Sequence, residues 1–207
     1  MTRVTRCLLV AKTWAGRRYR RVQREVEHAV FERGLHSTWS PDVSSGHLYL
    51  ARGLRGCRVS REDVFMDYGA GKGRVLLAAA RYPFGRIVGL EVNEADAEIA
   101  RSNARIAGPR RRCPNIEVVV EDARVWPLPD DVTYIYLFNP FWDETFQAML
   151  DRVLESLDRR PRQLTLIYAN PTCAAEVLAT GRFRRLRTSR GPRRNSPAQR
   201  IDVFRSI

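Results

Sequence analysis

"VFMDYGAGKGRVLLAAA", residues 64–80, runs from an apolar segment through a carboxylate and a glycine turn into a helix pattern. The apolar run ends in Asp67, so a strand here would carry that acid to its carboxyl end. Gly69, Gly71 and Gly73 then recur at alternate positions, with Ala70 between the first two. Bare backbone at that rhythm lets the chain turn tightly and lets a ligand lie against the peptide groups. Residues 72–82 read as a helix whose start offers unsatisfied N–H donors and the positive end of its dipole.

Working outward, strand patterns fall near 63–68, 86–91, 115–120, 132–138, 163–169, 182–188 and 200–206. Helix patterns fall near 72–82, 94–107, 143–157 and 171–179. Alternation of this kind implies βαβ crossovers and a parallel sheet. No helix pattern separates the last two strands, which read as an antiparallel hairpin around "SRGPRRNSPA". The expectation is an α/β, doubly wound, Rossmann-like sheet of seven strands, mostly parallel, with an antiparallel C-terminal hairpin. A short helix near 46–55 precedes it. Before that, Val22, Val26, Ala29 and Val30 stand at helical spacing within 14–33, with Gly34 as a stop. Two domains are therefore expected: a basic helical extension, 1–45, and the α/β domain, 46–207.

In such sheets ligands bind outside the carboxyl ends of the strands, where strand order reverses. The glycine turn is not a P-loop, because Lys72 is followed by Gly73 and Arg74 instead of Ser or Thr. The dinucleotide fingerprint fits poorly as well, since its third glycine comes three positions after the second and here it comes two after. An aspartate followed by alternate glycines suits a zwitterionic amino-acid ligand: the carboxylate takes the ammonium and backbone amides take the carboxyl group. The second strand, "RIVGLE", ends in Glu91, placed to grip two ribose hydroxyls. Asp122 follows the third strand and can accept from an adenine amino group, although a solvated loop residue would look the same. S-adenosylmethionine carries all three groups.

The D-x-G-x-G-x-G turn and the strand ending in Glu91 resemble those of the class I S-adenosylmethionine-dependent methyltransferases. Within that superfamily, "GAGKGRVLLAAA" and "FNPF" are similar to bacterial relatives of the non-SET histone lysine methyltransferases. The resemblance spans about residues 63–206. It implies that Asp67, Gly69, Ala70, Gly71 and Gly73 flank the methionine part of the cofactor, Glu91 the ribose and Asp122 the adenine. The fourth strand ends in "NPFW", Asn139 to Trp142, similar to the N-P-P-Y/F motif of amino-group methyltransferases but with one proline instead of two. By that likeness Asn139 lies beside both cofactor and acceptor, accepting from the target nitrogen together with the Pro140 carbonyl, while Phe141 lines the slot. A strand-end turn with inward-packed aromatics would also account for these residues. Tyr68 and Tyr49 are further slot candidates. Asn170 in "YANP" echoes Asn139 one strand later.

The implied function is N-methylation of an amine, on a protein (lysine-like) or a small molecule. Two alternatives stand beside it: an RNA or DNA methyltransferase acting on a base amino group, and a cofactor-binding module without catalysis. Charge bears on this choice. The chain has 207 residues and a net charge of +13. Residues 1–24 hold eight basic and no acidic residues, and residues 181–207 nine basic and one acidic. Such ends suit nucleic acid or another anionic partner, although only Lys12 and Lys72 are lysines and an arginine-rich composition alone gives solvated ends of this kind. The four cysteines and three histidines form no ligand spacing, so no metal is expected and a reducing, cytoplasmic setting is. The acid-free, Arg-rich start also has the composition of a transit peptide, which leaves organelle import open. No apolar run is long enough to cross a bilayer.

Overall fold

The computed structural model describes residues 46–106, 111–138, 143–191 and 200–207, all within the compact unit Ser40–Ile207. The expected N-terminal extension, 1–45, and the Asn139–Trp142 turn lie outside the described residues.

Seven strands form one sheet in the order β3-β2-β1-β4-β5-β7-β6. They are β1 (Val64–Tyr68), β2 (Arg86–Glu91), β3 (Ile116–Val120), β4 (Tyr134–Phe138), β5 (Thr165–Ala169), β6 (Phe183–Arg190) and β7 (Arg200–Ser206). The first five pair in parallel. β7 runs antiparallel to both neighbours and inserts between β5 and β6. The expected terminal hairpin is present, with its second strand on the inside. All residues of β1 and β5 are buried, as both faces of a parallel sheet require. β6 is an edge strand with Arg184, Arg185, Arg187 and Arg190 along it, a composition that discourages pairing with another chain.

Among the described residues, five helices cover the faces: α1 (Gly46–Gly53), α2 (Arg74–Ala79), α3 (Glu94–Ile106), α4 (Asp143–Arg159) and α5 (Ala174–Ala179). α4 places Phe146, Met149, Leu150, Val153 and Leu157 at helical spacing, all buried with Tyr68, Ile135 and Tyr168. At roughly 1.5–3 kcal/mol per buried side chain, that stripe is the main anchor of this face. The opposite face joins Tyr49 and Leu50 of α1, Leu76 of α2, and Ala97 and Ala100 of α3 to Phe65, Ile87, Tyr136 and Ile167. α1 sits so close to β5 that a Cβ at Gly53 would come within 2.2 Å of the Ile167 side chain.

Strand order reverses at β1, whose neighbours are β2 and β4. The chain therefore leaves β1 and β4 in diverging crossovers, toward β2 and β5, and a crevice opens at their carboxyl ends. The glycine turn and Glu91 meet this rim.

Candidate cofactor and acceptor site

Asp67 lies near the end of β1, opposite Gly89 on β2 and Tyr136 on β4. It is 3% exposed, and its Oδ2 is buried without a hydrogen bond. Burial, and then the nearby Glu91 carboxylate, push its carboxyl well above the usual range. A second buried aspartate shows how the fold treats an acid it uses for structure. Asp202 on β7 is fully buried, its Oδ1 accepts from the Thr188 hydroxyl at 2.8 Å, and its Oδ2, which like that of Asp67 makes no hydrogen bond, lies 3.4 Å from the positive guanidinium nitrogens of Arg185 and Arg200. Among the described residues no cation stands against Asp67, and the charge it faces is the Glu91 carboxylate. A buried carboxylate without a partner is costly, and a ligand ammonium would complete it.

The glycine turn explains its own spacing. Gly69, Gly71 and Gly73 have φ of 74°, 51° and 81°, in the left-handed region that residues with a Cβ rarely enter. Gly69 and Ala70 both donate their N–H to the Leu90 carbonyl at 2.9 Å, which ties the turn to the end of β2. Two of the glycines serve different ends. A Cβ at Gly73 would meet the Cβ of Ala100 at 3.0 Å, so this glycine admits α3. A Cβ at Gly71 would meet nothing within 4 Å, so the missing side chain there clears open space. Gly89 adds to the approach, because a Cβ on it would come within 2.6 Å of Leu76 and 2.9 Å of Ala70.

Glu91 is locked in place by backbone. Its Oε2 accepts from the Gly71 N–H at 2.7 Å and its Oε1 from the Asn93 N–H at 3.0 Å. Each oxygen keeps a free lone-pair direction, so the carboxylate is oriented before any ribose hydroxyl arrives. Asp122 is held differently: Arg124 forks onto it at 2.9 and 2.5 Å and keeps its carboxyl below the usual range. An adenine amino group would share that carboxylate with the guanidinium.

Asp67, the three glycines, Ala70 and Glu91 thus meet at the ends of β1 and β2, as the sequence implied. Tyr68 does not join them. It is 1% exposed and packs with the α4 face, whereas Tyr49 belongs to the opposite cluster, edge-on to Phe138 at 4.8 Å. The expected pair of tyrosines lining one slot is therefore corrected to two core rings on opposite faces. Asn139, Pro140 and Phe141 lie outside the described residues.

One contributor was not read from the sequence. Asn103 on α3 is 4% exposed and donates its side-chain N–H to the Lys72 carbonyl at 2.8 Å, holding the tip of the glycine turn. No sequence signal marks it beyond an amide on the helix face that carries Ala100.

Residues 65–160 match a family model described as a methyltransferase domain. Over that segment the chain is similar to the methyltransferase-domain family. Compared with curated proteins, the chain finds no match. Solved methyltransferases share its fold. An RNA methyltransferase from Salinibacter ruber, in complex with S-adenosyl-L-homocysteine, is 20% identical with a TM-score of 0.53, over 81% of this chain and 92% of that one. The methyltransferase domain of bacterial CtHen1-CN is 14% identical with a TM-score of 0.61, over 80% and 99%. The ribosomal protein L11 methylase of Lactobacillus delbrueckii subsp. bulgaricus is 15% identical with a TM-score of 0.55, over 77% of each chain. No helix among the described residues is long and apolar enough to cross a membrane.

Proposed function

We propose that the chain binds S-adenosylmethionine and transfers its methyl group to a nitrogen, on a lysine-like amine of a protein or on a small-molecule amine. The observation that carries the cofactor is Asp67, a buried carboxylate with an unpartnered oxygen on the strand that leads into the open glycine turn. Asp67 would hold the ammonium, the glycine turn the carboxyl group, Glu91 the ribose and Asp122 the adenine. When bound, the cofactor supplies a methyl already activated on a positively charged sulfur.

The chain's task is then alignment, which is worth on the order of 7–11 kcal/mol where near-attack geometry is held. Asn139 and the Pro140 carbonyl accept N–H hydrogen bonds from the target and aim its lone pair. Phe141 excludes water from the slot. An amide is no base, so a lysine-like amine, with an ordinary pKa of about 10.4, loses its proton to water, helped by desolvation. The nitrogen acceptor and the likeness to histone lysine methyltransferases rest on "FNPF" and the glycine-turn wording.

A second reading is an RNA base amino group. The arginines along edge strand β6 favour it, with Arg184 and Arg190 exposed, and an RNA methyltransferase is among the similar structures.

Incubating the chain with host lysate and methyl-tritiated S-adenosylmethionine, then separating protein, RNA and small molecules, tests these readings. Tritium in protein or small amines, lost with Asn139→Ala while cofactor affinity holds, supports the leading reading. Label in RNA favours the second, and no label in any fraction leaves only a binding module.

A further inference from the structure

Among the described residues, ion pairs away from the C-terminal hairpin hold at least as many carboxylates as cations. Arg86 meets Asp131 and Glu117, Arg101 and Arg105 meet Glu94 and Glu98, and Arg159 meets Asp130. On the hairpin the ratio turns over. β6 and β7 together carry six arginines and one acid, Asp202. Arg185 and Arg200 share that one carboxylate, whose Oδ2 lies 3.4 Å from each.

Strand pairing puts these groups on one face. Arg200, Asp202 and Phe204 alternate along one side of β7, and their partners across the pairing are Arg190, Thr188 and Arg185. The contacts agree: the Thr188 hydroxyl donates to Asp202, and the Arg185 guanidinium lies 5.5 Å from the centre of the Phe204 ring. Asp202 is fully buried, whereas the Arg185 and Arg200 side chains are 36% and 45% exposed. Arg190 is exposed and meets no carboxylate among the described residues. Three arginines against one carboxylate leave the face an excess of +2. Each guanidinium has five N–H donors in a planar fork, and neither Arg185 nor Arg200 spends one on a hydrogen bond to a described residue. The buried carboxylate holds two forks in place and leaves their donors for an anion.

The face reaches the carboxyl edge of the sheet, where the glycine turn and Glu91 lie. Ala169, the last residue of β5, stands opposite Ile201, and the Asn170 N–H donates to the Arg200 carbonyl at 2.9 Å. β7 and β6 are three and four strands from β1, about 14 and 19 Å at ordinary strand spacing, on the side away from Glu91.

The chemistry of the face selects its partner. None of the large apolar side chains exposed among the described residues lies on β6 or β7, so the face lacks the apolar centre that a protein partner would bury. A polar, strongly positive surface is what nucleic-acid interfaces use, and arginine forks match the free oxygens of a phosphodiester. We propose that this face of the β6–β7 hairpin binds the phosphate backbone of single-stranded RNA through Arg185, Arg190 and Arg200. Such contacts position a strand without reading its bases, so the binding is independent of sequence. The inference goes beyond methyl transfer: the face binds RNA whether or not the rim methylates it.

The test is binding of a short fluorescein-labelled single-stranded RNA to the full chain, followed by anisotropy over a salt series. Wild type is compared with Arg190→Gln, with Arg190→Gln/Arg200→Gln, and with Arg160→Gln, which removes an exposed arginine just past α4. Each phosphate contact to a single strand contributes about 0.7 to the slope of log affinity against log salt, so the single and double variants should be shallower by about 0.7 and 1.4. Contributions from other basic segments cancel in these differences. Arg160→Gln, with the same change in net charge as the single variant, should leave the slope as it is. Thermal melts and S-adenosylhomocysteine affinity should hold in Arg190→Gln, whose side chain makes no ion pair to lose, so the test stands even where the double variant disturbs Asp202. No RNA binding by wild type, slopes unchanged in both hairpin variants, or an equal loss from Arg160→Gln would overturn the assignment. Tighter binding of poly-glutamate than of RNA at equal charge would overturn it in favour of an acidic protein segment.

Discussion

Replacing Asp67 with asparagine keeps the shape of the side chain and removes its charge, and the two consequences should have opposite signs. The Asp67 carboxyl is raised well above its ordinary 3.8 by burial first and Glu91 second. It therefore holds its proton more tightly in the folded chain than in the unfolded one. Stability from this group is whole below pH 3.8, fades as pH rises through the raised value, and is gone once Asp67 ionises. An asparagine cannot ionise. Relative to wild type, ligand-free Asp67→Asn should gain stability as pH rises, by up to about 1–3 kcal/mol, the cost of a buried unsatisfied group. In a chain of this size each kcal/mol moves Tm by roughly 2–4 °C. Affinity should move the other way. Loss of a charge-assisted hydrogen bond to the ligand ammonium costs about 1.5–3 kcal/mol, or roughly 10- to 150-fold in Kd. Melts of both proteins between pH 5 and 8, with calorimetry against S-adenosylhomocysteine, read both effects. A variant that melts lower than wild type and binds the ligand equally well would show that Asp67 serves the fold alone.

The glycine turn offers a paired contrast. Gly73→Ala should cost stability, about 1–3 kcal/mol in denaturant unfolding, because its Cβ would press on Ala100 at 3.0 Å in a strained φ of 81°. Gly71→Ala, facing open space at φ 51°, should lose about 1 kcal/mol of stability to backbone strain and a larger share of S-adenosylhomocysteine affinity. Asn103→Ala removes the donor that holds the Lys72 carbonyl. A destabilisation of about 1–2 kcal/mol, with cofactor Kd raised severalfold, is expected from melts and calorimetry.

Much of the architecture is legible in the chain because apolar runs and helix stripes leave little choice. "RIVGLE" forms a strand over its whole length, and the α4 stripe reads directly from its spacing. Helix starts were misplaced where local geometry overrides pattern. The helix expected from 72 starts at Arg74, because Gly73 at φ 81° cannot join it. The helix expected from 171 starts at Ala174, after the turn that Asn170 opens and the Tyr168 hydroxyl holds. The insertion of β7 between β5 and β6 was not legible, since chain order does not say which neighbour a returning strand takes. At the proposed site, spacing in the sequence picked out Asp67, the glycines and Glu91, and the fold brings them to one edge of the sheet. Spacing could not supply their states: the missing partner of Asp67, the backbone lock on Glu91, the Arg124 fork on Asp122, or the burial of Tyr68. Those depend on contacts between segments far apart in the chain.

Titration calorimetry of the unmodified protein, with S-adenosylhomocysteine in one series and NAD in another, tests most directly whether the rim of β1 and β2 is a sulfonium-nucleoside site. One equivalent of S-adenosylhomocysteine should bind with measurable heat while NAD gives none. Heat from NAD and silence from S-adenosylhomocysteine would contradict the account at its foundation.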